Sequence, residues 1–288
     1  MILKPNTSRN MENNDFAVFI LTHGRPDNVK TLSTLKKCGY TGRVYFIVDN
    51  EDKTVEQYKK NFGVENVKIF DKKAMADSID EGNNFDNRKV IIHARNACFE
   101  IAKELGITYF VQFDDDYYYF GYRYITGAKI IKNIDAVFDA MLNFYKSTNI
   151  KSICFSQGGD HIGGFSGVKL KRKAMNSFFC STERPFQFIG SINEDVNTYT
   201  SLGNRGDIFF TFTNIQLDQK DTQSNNGGMT DEYALTGTYV KSFHSVLMHP
   251  SGVKVSMMNA NNVRLHHSIK WINTTPMILD EKFKKPLA

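Results

Sequence analysis

Three consecutive carboxylates, Asp114, Asp115 and Asp116, close a hydrophobic run in the stretch "YFVQFDDDYYYFGYR" (109–123). Side chains alternate along a strand, so if the strand geometry persists Asp114 and Asp116 share one face and Asp115 takes the other. Three adjacent carboxylates repel one another, which raises the pKa of at least one. A divalent cation removes that repulsion. Mg2+ and Mn2+ prefer oxygen ligands and characteristically take one or two carboxylates together with substrate phosphates. The spacing therefore predicts a metal–diphosphate site, the alternative being a solvated acidic turn or a helix cap. Asp115 taken alone is open to a structural role.

Open α/β sheets bind ligands at the carboxyl ends of their strands, and the elements around the triplet fit such a sheet. "FAVFIL" (16–21) reads as a short, fully buried parallel strand, "RVYFIVD" (43–49) as the next, "NVKIF" (66–70) as a third and "ITYFVQF" (107–113) as the fourth. Pro26 is placed to open a helix carrying Val29, Leu32 and Leu35 on one face, which Gly39 ends. A second helix runs from about Thr54 to Gly63. In 90–105 the residues Ile91, Ala94, Cys98, Ile101 and Leu105 recur at steps of three and four, a helix face that Gly106 terminates. Strand–helix alternation with short links predicts a parallel sheet with helices on both faces. The second half is less regular. Ile134, Val137, Phe138, Met141, Leu142 and Tyr145 outline another amphipathic helix, "SICFSQ" a strand, and "GGDHIGGFSG" (158–167) a glycine-rich loop with neither dinucleotide nor P-loop spacing.

The chain has 288 residues, 41% of them hydrophobic and 23% charged, which suits a sizeable core and excludes a disordered chain. A net charge of +5 permits a phosphate-bearing partner without demanding one. Cys38, Cys98, Cys154 and Cys180 are widely spaced with no C-x-x-C, so buried reduced thiols are expected rather than a zinc site or a disulfide framework. The longest apolar run, 16–21, is far too short to span a bilayer, and residues 1–14 read as a flexible polar leader without a secretory apolar segment. Cytoplasmic placement follows as an expectation, the host cytoplasm if the chain is phage-encoded.

"THGR" after the first strand, "VDNED" after the second, "ARN" on a helix and then "YFVQFDDD" resemble the nucleotide-sugar half of a GT-A glycosyltransferase. Within that fold the chain is most similar to the TET-associated glycosyltransferases of bacteriophages and their relatives. The likeness runs through "THGRPDNVKTL", "GYTGRVYFIVDNED", "ARNACFEIAKELGITYFVQFDDDY", "NEDVNTY" and "GGMTDEY", over most of residues 16–270. It implies an α/β fold with a Rossmann-like, mostly parallel sheet and a smaller mixed C-terminal part. One domain over 15–288 is expected, its nucleotide-sugar half about 15–125 and its acceptor half about 126–288. The implied activity is metal-dependent transfer of a sugar from a nucleotide sugar, foremost a UDP-sugar, to a hydroxymethylated pyrimidine in DNA such as 5-hydroxymethylcytosine, with Mn2+ or Mg2+ as cofactor. Asp114 and Asp116 become metal ligands, with Asp116 the direct one. Thr22 to Arg25, Asp49, Arg95 and Asn96 fall around the nucleotide.

The resemblance also implies a base at Asp195, with Glu194 second, because many inverting GT-A enzymes carry an acidic pair at a comparable helix start. A carboxylate there is stabilised in its ionised form by the helix dipole. In "RLHHSIKW" (264–271) it implies that His266 or His267 completes the metal shell and that Lys270 or Arg264 grips the diphosphate. Adjacent histidines on a strand face opposite ways, so at most one binds. For the acceptor, "YYYFGYRY" (117–124) reads either as Tyr119 and its neighbours stacking on bases with Arg123 on the backbone, or as a packed hydrophobic edge. Lys171 and Arg172 read either as nucleic-acid contacts or as a solvated loop. A hydroxymethyl group on a pyrimidine lies in the major groove, so base flipping is not required, though it stays open. The competing readings are a GT-A transferase acting on a glycan or small molecule, a nucleotidyltransferase, and a non-catalytic GT-A-like binding module.

Overall fold

A computed structural model of the chain describes residues 15–79, 88, 90–161, 171–219, 229–259 and 263–276. The leader and most of the glycine-rich loop lie outside these. The chain opens with β1 (Phe16–Leu21), α1 (Lys30–Lys37), β2 (Arg43–Asp49), α2 (Val55–Phe62), β3 (Val67–Phe70), α3 (Lys72–Asp77), α4 (Ile92–Glu104) and β4 (Tyr109–Asp114). It continues through β5 (Tyr117–Tyr124), β6 (Gly127–Ile130), α5 (Ile134–Lys146), β7 (Ser152–Ser156), β8 (Phe178–Ser181), α6 (Glu194–Asn204), β9 (Phe209–Gln219), α7 (Met229–Met248), β10 (Val253–Asn259) and β11 (Val263–Ile269).

Nine strands form one sheet in the order β3-β2-β1-β4-β8-β7-β9-β5-β6, and β10 and β11 make a separate antiparallel ribbon. The strands β3, β2, β1 and β4 are parallel to one another. Beyond β4 the pairing is mixed, with β8 antiparallel to both its neighbours and β7 parallel to β9. This is the α/β class, parallel at first and mixed later, that the GT-A resemblance implies.

The unbroken apolar run of β1 shows why it sits inside the sheet, with a strand on either side. Phe16, Val18 and Ile20 belong to a core that includes Leu35 of α1, Tyr58 of α2 and Phe138 of α5. Ala17, Phe19 and Leu21 belong to a second core with Cys98 of α4 and Val196 of α6. A strand buried on both faces must be apolar at every position, and "FAVFIL" is. Each fully buried Phe contributes about 2–3 kcal/mol of hydrophobic stabilisation. Helices cover both faces, as expected.

Several elements differ from the sequence reading. Pro26 does not open α1. It occupies a turn closed by the Asn28 amide donating to the Arg25 carbonyl at 3.0 Å, a position for which its fixed φ is equally suited, and the helix begins at Lys30. The buried face of α4 is wider than Ile91, Ala94, Cys98, Ile101 and Leu105. It takes in Ile92, Arg95, Asn96 and Phe99, because the helix is covered by the 186–188 segment as well as by the sheet. The aromatic run 117–124 is β5, with Tyr117 and Phe120 fully buried and Tyr118 and Tyr124 outward, so the packed-edge reading holds for its core positions. Strand β9 pairs with both β7 and β5.

Candidate active site

The acidic triplet is not an extended strand. β4 ends at Asp114, Asp115 and Asp116 form the turn, and β5 starts at Tyr117. The expected alternation of the three side chains is thereby replaced by a clamp from α1. Thr31 Oγ1 donates to the Asp114 carbonyl at 2.5 Å and accepts from the Tyr117 amide at 2.9 Å, while its own amide donates to the Asp115 carbonyl at 3.1 Å. Thr34 Oγ1 donates to the Tyr117 carbonyl at 2.9 Å. These threonines of "KTLST" were not anticipated; threonine at mid-helix is unremarkable until its hydroxyl is seen to leave the helix.

Asp115 is buried and both its oxygens are used, one by Thr22 Oγ1 at 2.6 Å and the other by Arg25 Nη1 at 3.0 Å. The Tyr58 hydroxyl accepts from the Arg25 amide and lies 2.8 Å from Thr22 Oγ1. Thr22 and Arg25, expected beside the nucleotide, thus hold the acidic turn. Asp114 and Asp116 remain partly accessible. Burial first, then mutual repulsion with Asp116, Glu194 and Asp115, pushes Asp114 up to about 7 against the pull of Arg95. Burial and the neighbouring Asp115 raise Asp116 as well.

Arg95 joins this turn to the second acidic motif. It is 1% exposed, and its guanidinium lies over the rings of Phe178 and Phe188. Nη2 donates to Asp114 Oδ1 at 3.1 Å and Nε to Glu194 Oε1 at 2.8 Å. Burial disfavours the charge, but Asp114 and Glu194 hold it protonated. Its backbone carbonyl accepts from Gln112 Nε2 of β4 at 3.0 Å. Removing one member of a buried charge cluster leaves the others uncompensated. Arg95→Met is therefore expected to destabilise the fold by about 3–5 kcal/mol, read as a drop in the urea midpoint, and Arg95→Lys, which keeps the charge but not the two-way fork, to recover only part of that.

Glu194 and Asp195 open α6, as the sequence suggests. The cap is Asn193, a residue not singled out beforehand, held at φ 54° in the left-handed region that asparagine tolerates better than most residues. Its Nδ2 donates to the Lys241 carbonyl at 2.8 Å and to Ser245 Oγ at 3.1 Å, docking the start of α6 on α7. Asp195 is 7% exposed and accepts from the Val196 amide at 2.7 Å. Burial, and then Glu194 alongside, pushes Asp195 up to about 6, so it stays ionised at neutral pH, as expected of a carboxylate at a helix start, but only narrowly. Burial lowers the Lys241 ammonium, and Asp195 and Glu194 pull it back up.

At the ends of β1 and β2, His23 Nδ1 lies 2.6 Å from Asp49 Oδ2 and 3.6 Å from Asp52 Oδ2. Lys72 Nζ, at the start of α3 and buried, is 3.4 Å from Asp49 Oδ1. Asp52 also accepts from the Gly24 amide at 2.7 Å and from Thr54. The Asp49 hydrogen bond raises His23 above its ordinary value; burial alone would raise Asp49, but His23 and Lys72 hold it below the usual carboxylate value.

Other expected site residues stand apart from this arrangement. Asn96 spends both ends of its amide on the Phe188 backbone, donating to the carbonyl at 3.1 Å and accepting from the amide at 2.8 Å, so it anchors a loop instead of facing a nucleotide. Arg172 donates to the Asp160 carbonyl at 2.7 Å and sits 3.6 Å from its carboxylate, whereas Lys171 is exposed. Arg123 reaches Gln216 at 3.4 Å, and Tyr119 pairs with Asp218 across the β5–β9 ladder. Lys270 is exposed at the end of the ribbon and makes no ion pair with a described residue.

His266 and His267 lie on β11 with ring centroids 4.2 Å apart. Burial and the nearby cations Lys173 and Lys241 lower them to about 4 and about 3, so both are neutral near pH 7. Neutral imidazoles suit metal ligation, but the structure does not bring them to Asp114 and Asp116: among the described residues no group of three or more His, Cys, Asp or Glu is placed to hold an ion. The donor set nevertheless fits a hard cation. Mg2+ takes one or two carboxylates plus phosphate oxygens rather than a protein cage, and Asp114 with Asp116, held close and mutually repelling, provides that.

The sequence model of the TET-Associated Glycosyltransferase family matches residues 16–228. The chain belongs to that family. The match takes in the acidic turn, Arg95 and the Glu194–Asp195 helix start, and ends before α7 and the β10–β11 ribbon, so His266 and His267 lie outside the part that defines a TET-associated glycosyltransferase. No curated protein sequence matches the chain. Among solved structures it is similar to glucosyl-3-phosphoglycerate synthase from Mycobacterium tuberculosis in complex with Mg2+ and UDP, at 10% identity over 94% of this chain and 96% of that one, TM-score 0.44. The same enzyme with Mn2+ and UDP-Glc gives 9% identity, 95% and 96% coverage and 0.43. TarS 1-349 of S. aureus gives 15% identity and 0.39, over 70% of this chain and 60% of that one. Among the described residues of this glycosyltransferase no helix is long and apolar enough to cross a membrane.

Proposed function

We propose that the protein moves a sugar from a UDP-sugar to the hydroxymethyl group of a modified pyrimidine in DNA, with inversion at the anomeric carbon. The observation that carries this reading is the buried Arg95 fork. It holds Asp114 of the acidic turn and Glu194 of the α6 start on one guanidinium, which sets a phosphate-facing acidic turn and a candidate base, Asp195, on a common support. The family's association with TET-type hydroxylation supports a hydroxymethylated base as acceptor, and the net positive charge suits a polyanion.

Asp114 and Asp116 would hold Mg2+ or Mn2+, which when bound neutralises charge on the diphosphate leaving group. Asp115, locked by Thr22 and Arg25, keeps the turn in shape. Asp195 accepts the proton of the acceptor hydroxymethyl group as its oxygen bonds to C1 of the sugar. The C1–O bond to the diphosphate breaks, and UDP departs with that electron pair. A base of pKa near 6 is well matched to this task, ionised at neutral pH yet basic enough to take the proton. Glu194, tied to Arg95, positions the helix start rather than the proton.

The test is to incubate the protein with hydroxymethylated and unmodified DNA and a panel of UDP-sugars, then weigh the released nucleosides. The reading expects one hydroxymethylpyrimidine nucleoside to gain the mass of a sugar residue and unmodified DNA to stay unchanged. Transfer to a glycan or small hydroxylated molecule but not to DNA would contradict the acceptor, and release of pyrophosphate would contradict sugar transfer.

A further inference from the structure

Three cations from separate parts of the chain converge beside the proposed base. Lys173 stands in the segment leading into β8, where its carbonyl accepts from Thr211 Oγ1 of β9 at 2.5 Å. Lys241 is on α7, and its carbonyl accepts from Asn193 Nδ2, the cap of the helix that Glu194 and Asp195 begin. Arg264 is on β11, in the ribbon that packs against α7. All three act on the half-buried His266, and Lys173 and Arg264 also act on Lys241. Among the described residues the Arg264 guanidinium reaches the Met258 sulfur, at 4.0 Å, and no carboxylate. Cations gathered in this way repel one another, and an anion between them relieves that repulsion. A second observation points the same way. His267, whose ring lies 4.2 Å from that of His266, is 7% exposed, and its Nε2 is buried with no hydrogen-bond partner among the described residues. A buried polar atom left without a partner marks a place that a further group completes.

The position of the cluster says which anion it suits. The cation acting on Asp114 is Arg95, and those acting on Asp116 are Arg25 and Lys30. The acids acting on Lys241 are Asp195 and Glu194. The cluster therefore stands on the side of the base, away from the acidic turn that would hold the diphosphate. A base meets the acceptor, so an anion bound beside it belongs to the acceptor. In DNA the anions next to a modified nucleotide are its flanking phosphodiesters, and contacts to them fix register and orientation. We propose that Lys173, Lys241 and Arg264 hold a phosphodiester of the acceptor strand next to the modified nucleotide and so bring its hydroxymethyl group to Asp195. The proposal rests on the reading of DNA as the acceptor. Lys241 and Arg264 lie beyond residue 228, where the family match ends, so this contact belongs to a part of the chain that the match does not cover.

The experiment is fluorescence anisotropy of the full chain with a labelled duplex carrying one 5-hydroxymethylcytosine, at fixed pH and from about 50 mM to about 200 mM salt. Lys173→Gln and Arg264→Gln are the variants of choice, because Lys241 also acts on Asp195. Each is expected to reduce the slope of log affinity against log salt by about 0.9, the signature of one lost phosphate contact. Each is expected to raise the DNA KM about tenfold, the size of one charge-assisted hydrogen bond, with kcat and the donor KM little changed. A duplex in which neutral methylphosphonates replace the phosphodiesters flanking the modified base is expected to bind both variants and the wild type alike. Thermal melts check that the variants fold, and Arg264 is exposed enough to be replaced without disturbing packing. An unchanged salt slope, or a loss of affinity that persists on the methylphosphonate duplex, overturns the phosphodiester site alone. So does a rise in the donor KM with the DNA KM unchanged, which would assign the cluster to the diphosphate. Sugar transfer by the wild type to a glycan or small molecule and not to DNA overturns the DNA reading, and this proposal with it.

Discussion

Replacing Asp195 with asparagine is expected to lower kcat for sugar transfer by about 10³-fold at neutral pH, the middle of the range for removing a general base. The donor KM should change little, since Asp195 stands at the start of α6 and not at the acidic turn. The same substitution is expected to raise the melting temperature at neutral and alkaline pH. Burial pushes the folded-state pKa of Asp195 up to about 6 from an ordinary 3.8, so its ionisation is harder in the folded chain than in the unfolded one. Stability tied to this group is fully present below the unfolded value and is lost as pH rises through the folded one. Asparagine carries no charge to bury and escapes that loss. In the wild type, kcat should fall as pH drops through about 6, where the base becomes protonated. A variant that is slower but no more stable would indicate a residue that merely supports the helix start. One that transfers sugar at the normal rate would remove Asp195 from the base role.

The second large effect is expected at Asp116. Asp116→Asn should lower transfer by about 10³-fold or more, because the diphosphate then lacks the charge neutralisation worth several kcal/mol in the transition state. The fold should survive, since the side chain is partly accessible and the burial of charge is relieved, not created. EDTA should silence the wild type to the same level, and Mn2+ or Mg2+ should restore it. Asp115→Asn provides the contrast. Asp115 takes two hydrogen bonds from Thr22 and Arg25, so its loss should appear first as a lower melting temperature and as activity that metal does not rescue. Equal activity and equal metal dependence in Asp116→Asn and the wild type would place the ion elsewhere.

What could be read in advance follows from which interactions are local. The strands β1 and β2 were legible to within a residue because burial on both faces demands an unbroken apolar run, and "FAVFIL" and "RVYFIVD" have one. Helix α5 was legible because its apolar residues keep a 3.6-residue period along one buried face. Helix α4 was legible as a helix but not in its face, since a segment more than 80 residues downstream covers the side that the pattern leaves polar. Pro26 shows how one fixed φ serves a turn as readily as a helix start. The acidic turn and the Glu194–Asp195 pair were visible as motifs. The link between them was not, because Arg95 lies 99 residues from Glu194 and only the folded sheet brings the two together. Nor could spacing separate Asp115 from its neighbours; that distinction comes from Thr22, Arg25 and the α1 threonines. The late histidines were expected at the metal on the strength of likeness alone, in a part of the chain beyond the family match, and the structure leaves them on the ribbon beside Lys173 and Lys241.

The central claim is that the sugar nucleotide binds at the carboxyl ends of β1 and β4. A crystal structure of the protein grown with UDP and Mn2+ tests it directly. The account predicts an anomalous manganese peak at Asp114 and Asp116, with the nucleotide lying from there across β1 toward His23. Nucleotide density anywhere else on the molecule, or manganese bound away from the acidic turn, would contradict it.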